Sequence, residues 1–288
     1  MITLVNILID GVMLGALYAL FAAGLSLIFG VMRLVNLAHG DLIVVAAYLI
    51  LVIASQLGLN VFLALALAAP LMFAFGYVLQ VGLLNRVLGG DVLPPLLVTF
   101  GLSIILQNGA LALFTADSRR LPTEGLESAS LAFGPFAVGL MPLMTLGAAV
   151  LVIFALNRLF YGAAIGRAFR AVSDDPTTAE LMGVSNGQIF GLAMGVSLAV
   201  CAVAALFLGA HANFDPSIGP GRLIFAFEAV IIGGLGSLWG TLIGGVILGL
   251  AQTVGAKINP EWQILAGHVA FFIVLIVRPR GLFPRAFD

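Results

Sequence analysis

Few side chains inside the apolar stretches of this sequence could perform acid–base or metal chemistry. The segment VNLAHGDLIV brings Asn36, His39 and Asp41 close together. One histidine with one aspartate could relay a proton, but a metal site needs three or four ligands. We favour a structural interpretation, in which Asp41 caps the next helix, Gly40 permits the turn, and Asn36 with His39 satisfies freed backbone groups.

Other polar side chains within apolar segments must face protein or water, because each is costly in lipid. Gln107 and Asn108 are amides, which commonly form hydrogen bonds between helices. Glu228 precedes the glycine-rich stretch AVIIGGLGSLWG. A carboxylate there could cap the backbone donors of a broken helix or line a polar path, and both interpretations stay open.

Glycines recur at helical spacing after this acid. Gly236, Gly240 and Gly244 are spaced by four, and Gly245 with Gly249 repeats that spacing on a neighbouring stripe. A helix with this pattern presents a nearly bare backbone to a partner helix. The pattern predicts close helix packing.

The most polar segment, RAFRAVSDDPTTAELMGV, lies between two apolar runs. Asp175 suits an N-cap and Gly183 suits the position after a helix end, so a short helix is predicted over about Pro176 to Met182. Ala179, Leu181 and Met182 among charges predict a surface that docks a partner protein. An ordinary solvated loop helix is the alternative.

These residues are set in a chain that is 62% hydrophobic and only 9% charged. Soluble domains carry far more charge, and runs of about 20 apolar residues are typical of membrane-spanning helices. Nucleic acid is an implausible partner, because the basic residues never cluster. The predicted apolar spans are Val5 to Phe29, Leu42 to Leu57, Val61 to Leu84, Leu93 to Phe114, Phe136 to Leu159, Gln188 to Leu208, Leu223 to Leu235, Leu238 to Thr253 and Trp262 to Val277.

The seventh span is too short to cross a bilayer alone, so it should form a broken or re-entrant element with the eighth. We therefore predict an all-α, polytopic integral membrane protein with about eight transmembrane helices. Residues 1–288 should form a single transmembrane domain, with a polar insert at about 161–187. Residues 116–134 and 211–222 should be the longer loops of the opposite side.

Orientation follows from the basic residues beside the spans. Eight lie on the side of the insert and four on the other, which predicts a cytoplasmic insert and C-terminus. The eight are Arg33, Arg86, Arg158, Arg167, Arg170, Arg278, Arg280 and Arg285, and the four are Arg119, Arg120, Arg222 and Lys257.

Three long motifs resemble the permease subunits of branched-chain amino acid ABC importers, specifically the smaller of the two permease types. They are GALYALFAAGLSLIFGVMRLVNLAHGDL, GRAFRAVSDDPTTAELMGV and EAVIIGGLGSLWGTLIGGVILGL, in this order along the chain. The resemblance covers nearly the whole sequence. It implies that the insert couples the permease to a cytoplasmic ATPase, through Arg170, Asp174, Asp175, Thr178, Glu180, Met182 and Gly183.

The resemblance also implies the partners and the location. They are a second, related permease in a heterodimer, two cytoplasmic ATP-binding subunits and a periplasmic solute-binding protein, in a bacterial inner membrane. The implied solutes are branched-chain amino acids or relatives such as urea and short amides. The sequence has one lysine, Lys257, and no phosphate-binding loop ends there, so we expect neither an enzyme nor a bound cofactor.

Two other functions stay open from sequence. A self-sufficient secondary transporter or channel could couple to protons through Asp41, His39 or Glu228. A ribose-type ABC permease, working as a homodimer, is the second alternative.

Overall fold

The computed structural model describes residues 2–89, 91–133 and 136–283, so Arg285 of the orientation count lies outside them. Helices dominate these residues, with a 3-10 turn at Leu84–Arg86 and one two-stranded hairpin, β1 (Ser130–Phe133) and β2 (Phe136–Gly139). The helices are α1 (Ile2–Met32), α2 (His39–Leu57), α3 (Val61–Gly82), α4 (Leu93–Phe114), α5 (Leu140–Gly162), α6 (Ala164–Asp174), α7 (Pro176–Leu181), α8 (Asn186–His211), α9 (Gly219–Gly233), α10 (Leu238–Ile258) and α11 (Trp262–Val277).

Seven of the described helices are long and apolar enough to cross a membrane, namely α1 to α5, α8 and α10. The sixteen-residue α11 is a shorter apolar helix. The predicted break also exists, because α9 ends at Gly233 and α10 begins at Leu238. The prediction of a polytopic all-helical membrane protein is confirmed.

Two local predictions were incomplete. Residues 116–134 were expected to form only a loop, but β1 pairs antiparallel with β2, so α5 begins at Leu140 rather than at Phe136. The insert was expected to hold one short helix, but α6 precedes α7. Gly166, Phe169, Val172 and Ser173 form the buried face of α6.

Glycines bring α10 into contact with α9 on one side and α1 on the other. A Cβ atom added at Gly240 or Gly244 would overlap a backbone oxygen of α9. A Cβ at Gly245 would lie 2.6 Å from the carbonyl oxygen of Gly15 on α1. Close packing was predicted, but Gly236 is not part of the helix: it lies in the turn before α10 with φ +78°.

Both α2 and α9 begin in the middle of the bundle. His39 Nε2 donates to the Phe21 carbonyl oxygen of α1 at 2.9 Å, far from either end of that helix. The start of α9 packs on the same place, because a Cβ on Gly40 would overlap the carbonyl oxygen of Gly219. We call the contact of residues 39–41 with Gly219 the α2–α9 junction.

Candidate functional site

The α6 part of the insert is bound tightly to the bundle. Ser173 Oγ donates to the Gly30 carbonyl oxygen of α1 at 2.8 Å. Arg170 donates to the Phe160 carbonyl oxygen at the end of α5, and its guanidinium lies 5.5 Å from the ring centroid of Tyr161. Arg170 therefore anchors the insert internally, whereas we had expected it at the docking surface.

The α7 part is capped at both ends, as the sequence predicted. Asp175 Oδ1 accepts hydrogen bonds from the backbone N–H groups of Thr177 and Thr178, each at 3.0 Å. The hydrogen bond from the Thr178 hydroxyl to this carboxylate holds the pKa of Asp175 below its usual value. At the other end Gly183 has φ +85°, which favours glycine, and Val184 N donates to the Ala179 carbonyl oxygen at 3.0 Å.

This geometry separates the three apolar residues that were predicted to dock together. Leu181 is 82% exposed and Met182 is 80% exposed, but Ala179 is buried against the bundle. The expectation for Ala179 was wrong, because that face of the short helix packs inward on α6 and α8. Asp174, Thr178, Glu180 and Gly183 are exposed.

A cleft of about 490 Å³ lies beside α7. Its walls come from the α1–α2 and α3–α4 connections, from α7 and from the start of α8. Polar side chains that line it include Asn85, Asp91, Glu180 and Asn186. One flank of α7 therefore faces open space, while the other is held by α6.

The polar cluster that the sequence singled out lies at and just before the α2–α9 junction. Asn36 Oδ1 accepts from the Ala38 backbone N–H at 3.0 Å, and His39 binds Phe21 as described. These side chains satisfy backbone groups near the helix start. Asp41 does not cap α2, because the helix already begins at His39, and Gly40 is helical rather than a turn residue.

Asp41 instead faces both helix starts and one neighbouring span. It is 2% exposed, and a Cβ on Gly219 would overlap its Oδ1 atom. Ser103 Oγ of α4 donates to Asp41 Oδ2 at 2.5 Å, and Gln107 Nε2 donates to Ser103 Oγ at 3.0 Å. Sequence reasoning missed Ser103, although its position one helical turn before Gln107 was a usable signal.

Asn108 does not join this chain of hydrogen bonds. Its Nδ2 donates to the Ile104 carbonyl oxygen of its own helix at 2.8 Å, and the side chain is exposed on α4. The structure therefore separates the two neighbouring amides that the sequence grouped together.

Glu228 lies apart from the α2–α9 junction, in the second half of α9. It is 5% exposed and contacts His268 Nδ1 of α11, so it joins two helices rather than capping the broken one. Nearby, Tyr18 Oη donates to Gln252 Oε1 at 2.6 Å and joins α1 to α10. The pairing of Glu228 with His268 could not be read from sequence, because forty residues separate the two.

Known proteins resemble this chain over almost its whole length. The family model described as the permease component of the branched-chain amino acid transport system matches residues 7–277. The permease protein BraD of the high-affinity branched-chain amino acid transport system of Pseudomonas aeruginosa is 29% identical, over 96% of this chain and 95% of BraD.

Two Escherichia coli K12 proteins, each a permease protein of a high-affinity branched-chain amino acid transport system, are also similar. LivH is 28% identical over 96% of this chain and 94% of its own length. LivM is 25% identical over 96% of this chain and 70% of its own length. These matches support the ABC permease interpretation and not the self-sufficient carrier.

Proposed function

Because the chain belongs to the family of branched-chain amino acid transport system permease components, we propose that it is the membrane-spanning subunit of an ABC importer. It forms half of a translocation path in the inner membrane of a bacterium, with the insert and C-terminus in the cytoplasm. The proposed solutes are leucine, isoleucine and valine, or related small solutes such as urea and short amides.

The insert is the observation that carries this mechanism. A rigid helix end, α7, exposes Leu181 and Met182, while α6 is hydrogen-bonded to α1 and α5 behind it. A partner that moves α7 would therefore move two membrane helices with it, because helices transmit displacement through packed contacts. The coupling surface comprises Asp174, Asp175, Thr178, Glu180, Met182 and Gly183, and Arg170 holds it in place.

The energy for transport comes from other subunits. The sequence has one lysine, Lys257, and Ile258 follows it, so it contains no phosphate-binding loop ending in Lys-Ser or Lys-Thr. We propose that two cytoplasmic ATP-binding subunits bind α7 of this chain and the equivalent segment of a second permease. ATP binding then closes the ATPases and alternates access to the path.

The second permease is proposed to be related but different. Similarity to both LivH and LivM, each a permease protein of a high-affinity branched-chain amino acid transport system, supports a heterodimer. A periplasmic solute-binding protein delivers the solute from outside. Asn36, His39, Gly40 and Asp41 hold the α2–α9 junction beside the path, and Gln107 lies on the α4 side of that junction. Asn108, which is bonded to its own helix, has no role in the path.

The test is a change of charge at the exposed tip of α7. In the purified complex reconstituted into proteoliposomes, Leu181→Asp and Met182→Asp should each lower ATP-driven leucine uptake roughly tenfold, because an acid replaces an exposed apolar side chain that the ATPase buries on docking. Stimulation of ATP hydrolysis by loaded binding protein should fall in parallel. The chain itself should reach the membrane at normal levels, because neither side chain is buried within it.

The matched control is Arg167→Asp, which introduces an acid at an exposed position of the neighbouring α6. It should keep uptake within roughly twofold, because surface substitutions away from an interface have small effects. Full uptake and full stimulation in both α7 variants would refute the coupling role. Purification of the tagged chain without any ATPase or second permease would refute the importer.

A further inference from the structure

We propose that the side-chain carbonyl of Gln107 accepts a hydrogen bond from the transported solute, and that Ser103 and Asp41 are positioning residues that fix its orientation. The inference rests on the proposed function, since it names the chemistry by which the path recognises a solute. It assigns different roles to three polar side chains on two helices.

The three side chains lie at the middle depth of the bundle. Ser103 is in the centre of α4, and Asp41 lies at the α2–α9 junction, which packs on the central part of α1. Solute sites at mid-depth beside helices that begin inside the membrane suit alternating access, because both sides can reach them in turn.

The hydrogen bonds that link Asp41, Ser103 and Gln107 have a fixed direction. The starts of α2 and α9 both face the Asp41 carboxylate, and helix N-termini favour a negative charge. Ser103 Oγ donates to Asp41 Oδ2. The Ser103 oxygen then accepts from Gln107 Nε2, so neither of these two hydrogen bonds uses Gln107 Oε1.

The neighbourhood of Gln107 is open on the other side. Only 17% of the apolar stretch of α4 is buried, and among the described helices α4 packs mainly on α2. Gln107 is partly exposed, whereas Ser103 is buried. A carboxamide at this depth is costly in hydrocarbon, so this edge of α4 faces water or protein, and the second permease completes the site.

An exposed carbonyl oxygen selects for hydrogen-bond donors. The ammonium group of an amino acid and the N–H groups of an amide or urea can all donate to it. A solute that carries only a carboxylate cannot. Gln107 therefore recognises the nitrogen end of the solute and leaves the apolar side chain to other surfaces.

The central test compares three variants of the reconstituted complex with tritiated leucine as the solute. Gln107→Leu should lower uptake roughly tenfold, because an oriented hydrogen bond to a charged group is lost. Gln107→Glu should retain more uptake than Gln107→Leu, since it keeps an acceptor oxygen. Asn108→Leu makes the same amide-to-leucine change one residue along. Its uptake should stay within roughly twofold of wild type, because Asn108 does not take part in the hydrogen bonds that link Gln107, Ser103 and Asp41.

The positioning roles of Ser103 and Asp41 are tested by leucine uptake, by rescue with a conservative variant and by stimulated ATP hydrolysis. Ser103→Ala should lower uptake roughly threefold, and Ser103→Thr should restore it, because the hydroxyl links Gln107 to Asp41. Asp41→Asn should resemble Ser103→Ala, since an amide no longer fixes the direction of donation. Stimulated ATP hydrolysis should persist in all of these variants, whereas a merely structural defect would abolish it with uptake.

A second measurement does not depend on leucine transport. In membrane vesicles containing the complex, Gln107→Cys should react with a charged thiol reagent much faster than Ile105→Cys, which lies on another face of α4. The native Cys201 is buried and serves as background. If Gln107→Cys is unreactive, or if Gln107→Leu and Asn108→Leu lower uptake equally, the inference is overturned. If Gln107→Cys reacts as expected but the wild-type complex does not import leucine, the proposed function fails instead.

Discussion

The spans α1 and α4 are both strongly apolar but opposite in environment. Their apolar stretches have mean hydropathies of 2.2 and 1.8, yet 78% of the α1 stretch is buried inside the protein, against 17% for α4. Because the hydropathy of both helices is high, both can lie in a membrane. Hydropathy does not distinguish a central helix from a peripheral one, since lipid and protein interiors are almost equally apolar.

The glycines of the two helices show what does distinguish them. A Cβ added at Gly15 of α1 would lie 2.5 Å from the Val246 Cα atom of α10. A Cβ added at Gly101 or Gly109 of α4 would meet nothing within 4 Å. Small residues therefore mark a central helix only when a second helix supplies a matching surface, as Gly245 and Gly249 do for α1.

Polar side chains differ in the same way. On α1, Tyr18 and Ser26 are buried and bonded to Gln252 and Thr241 of α10. On α4, Ser103 turns inward, while Gln107 and Asn108 reach the open surface. Tyr18 and Ser26 of α1 therefore serve assembly within this chain, whereas α4 has polar groups available for solute or a partner.

The largest expected effect breaks the α1–α10 contact. Gly15→Leu should destabilise the folded chain by about 3 kcal/mol or more, because a backbone contact leaves no room for the side chain. Thermal unfolding in detergent and the amount of folded protein in membranes would measure this. Gly109→Leu makes the same change on α4 and should leave the isolated chain near wild type. Equal losses in both variants would contradict the comparison.

An intermediate effect is expected at Tyr18. Tyr18→Phe keeps the ring but removes the hydroxyl that binds Gln252, which is 1% exposed. The buried amide then loses its partner, at a cost of about 1–2 kcal/mol. The double variant Tyr18→Phe/Gln252→Leu should recover part of the loss, and failure to recover it would show that the hydrogen bond contributes little.

The smallest effect should be at the open face of α4. Gly101→Ala should stabilise the isolated chain by at most about 1 kcal/mol, because the new methyl group meets no neighbour among the described residues and alanine has the higher helix propensity. The same variant should then be measured in the assembled complex. A loss of stability seen only there would locate the second permease against α4 and sharpen the contrast with α1.

The sequence predicted some elements to the residue. The bounds of α4 and α11 agree with the predicted spans, because a turn signal flanks each apolar run. It also predicted both caps of α7, since an N-cap aspartate and a C-terminal glycine act on neighbouring residues. It missed α6, although Phe169 and Val172 show helical spacing, because the charges around them resemble a solvated loop.

The errors at Asp41 and Ala179 have one cause. Each residue was interpreted by its sequence neighbours, but each is placed by a distant element: Asp41 by Ser103 and Gly219, and Ala179 by the packing of α7 on the bundle. Gly236 continues the spacing of Gly240 and Gly244, yet the chain turns before it can join their helix. Periodicity alone cannot reveal where a helix begins.

Local sequence specifies a multi-span helical membrane protein with a capped polar insert, because hydropathy and capping depend on residues within a few turns. The tertiary contacts place α1 at the centre and α4 at the periphery, and they bring the starts of α2 and α9 together. They also link Asp41, Ser103 and Gln107 by hydrogen bonds. These arrangements depend on which helix surfaces meet. That choice is made by side-chain shape and hydrogen-bond complementarity between segments far apart in sequence, which no local pattern contains.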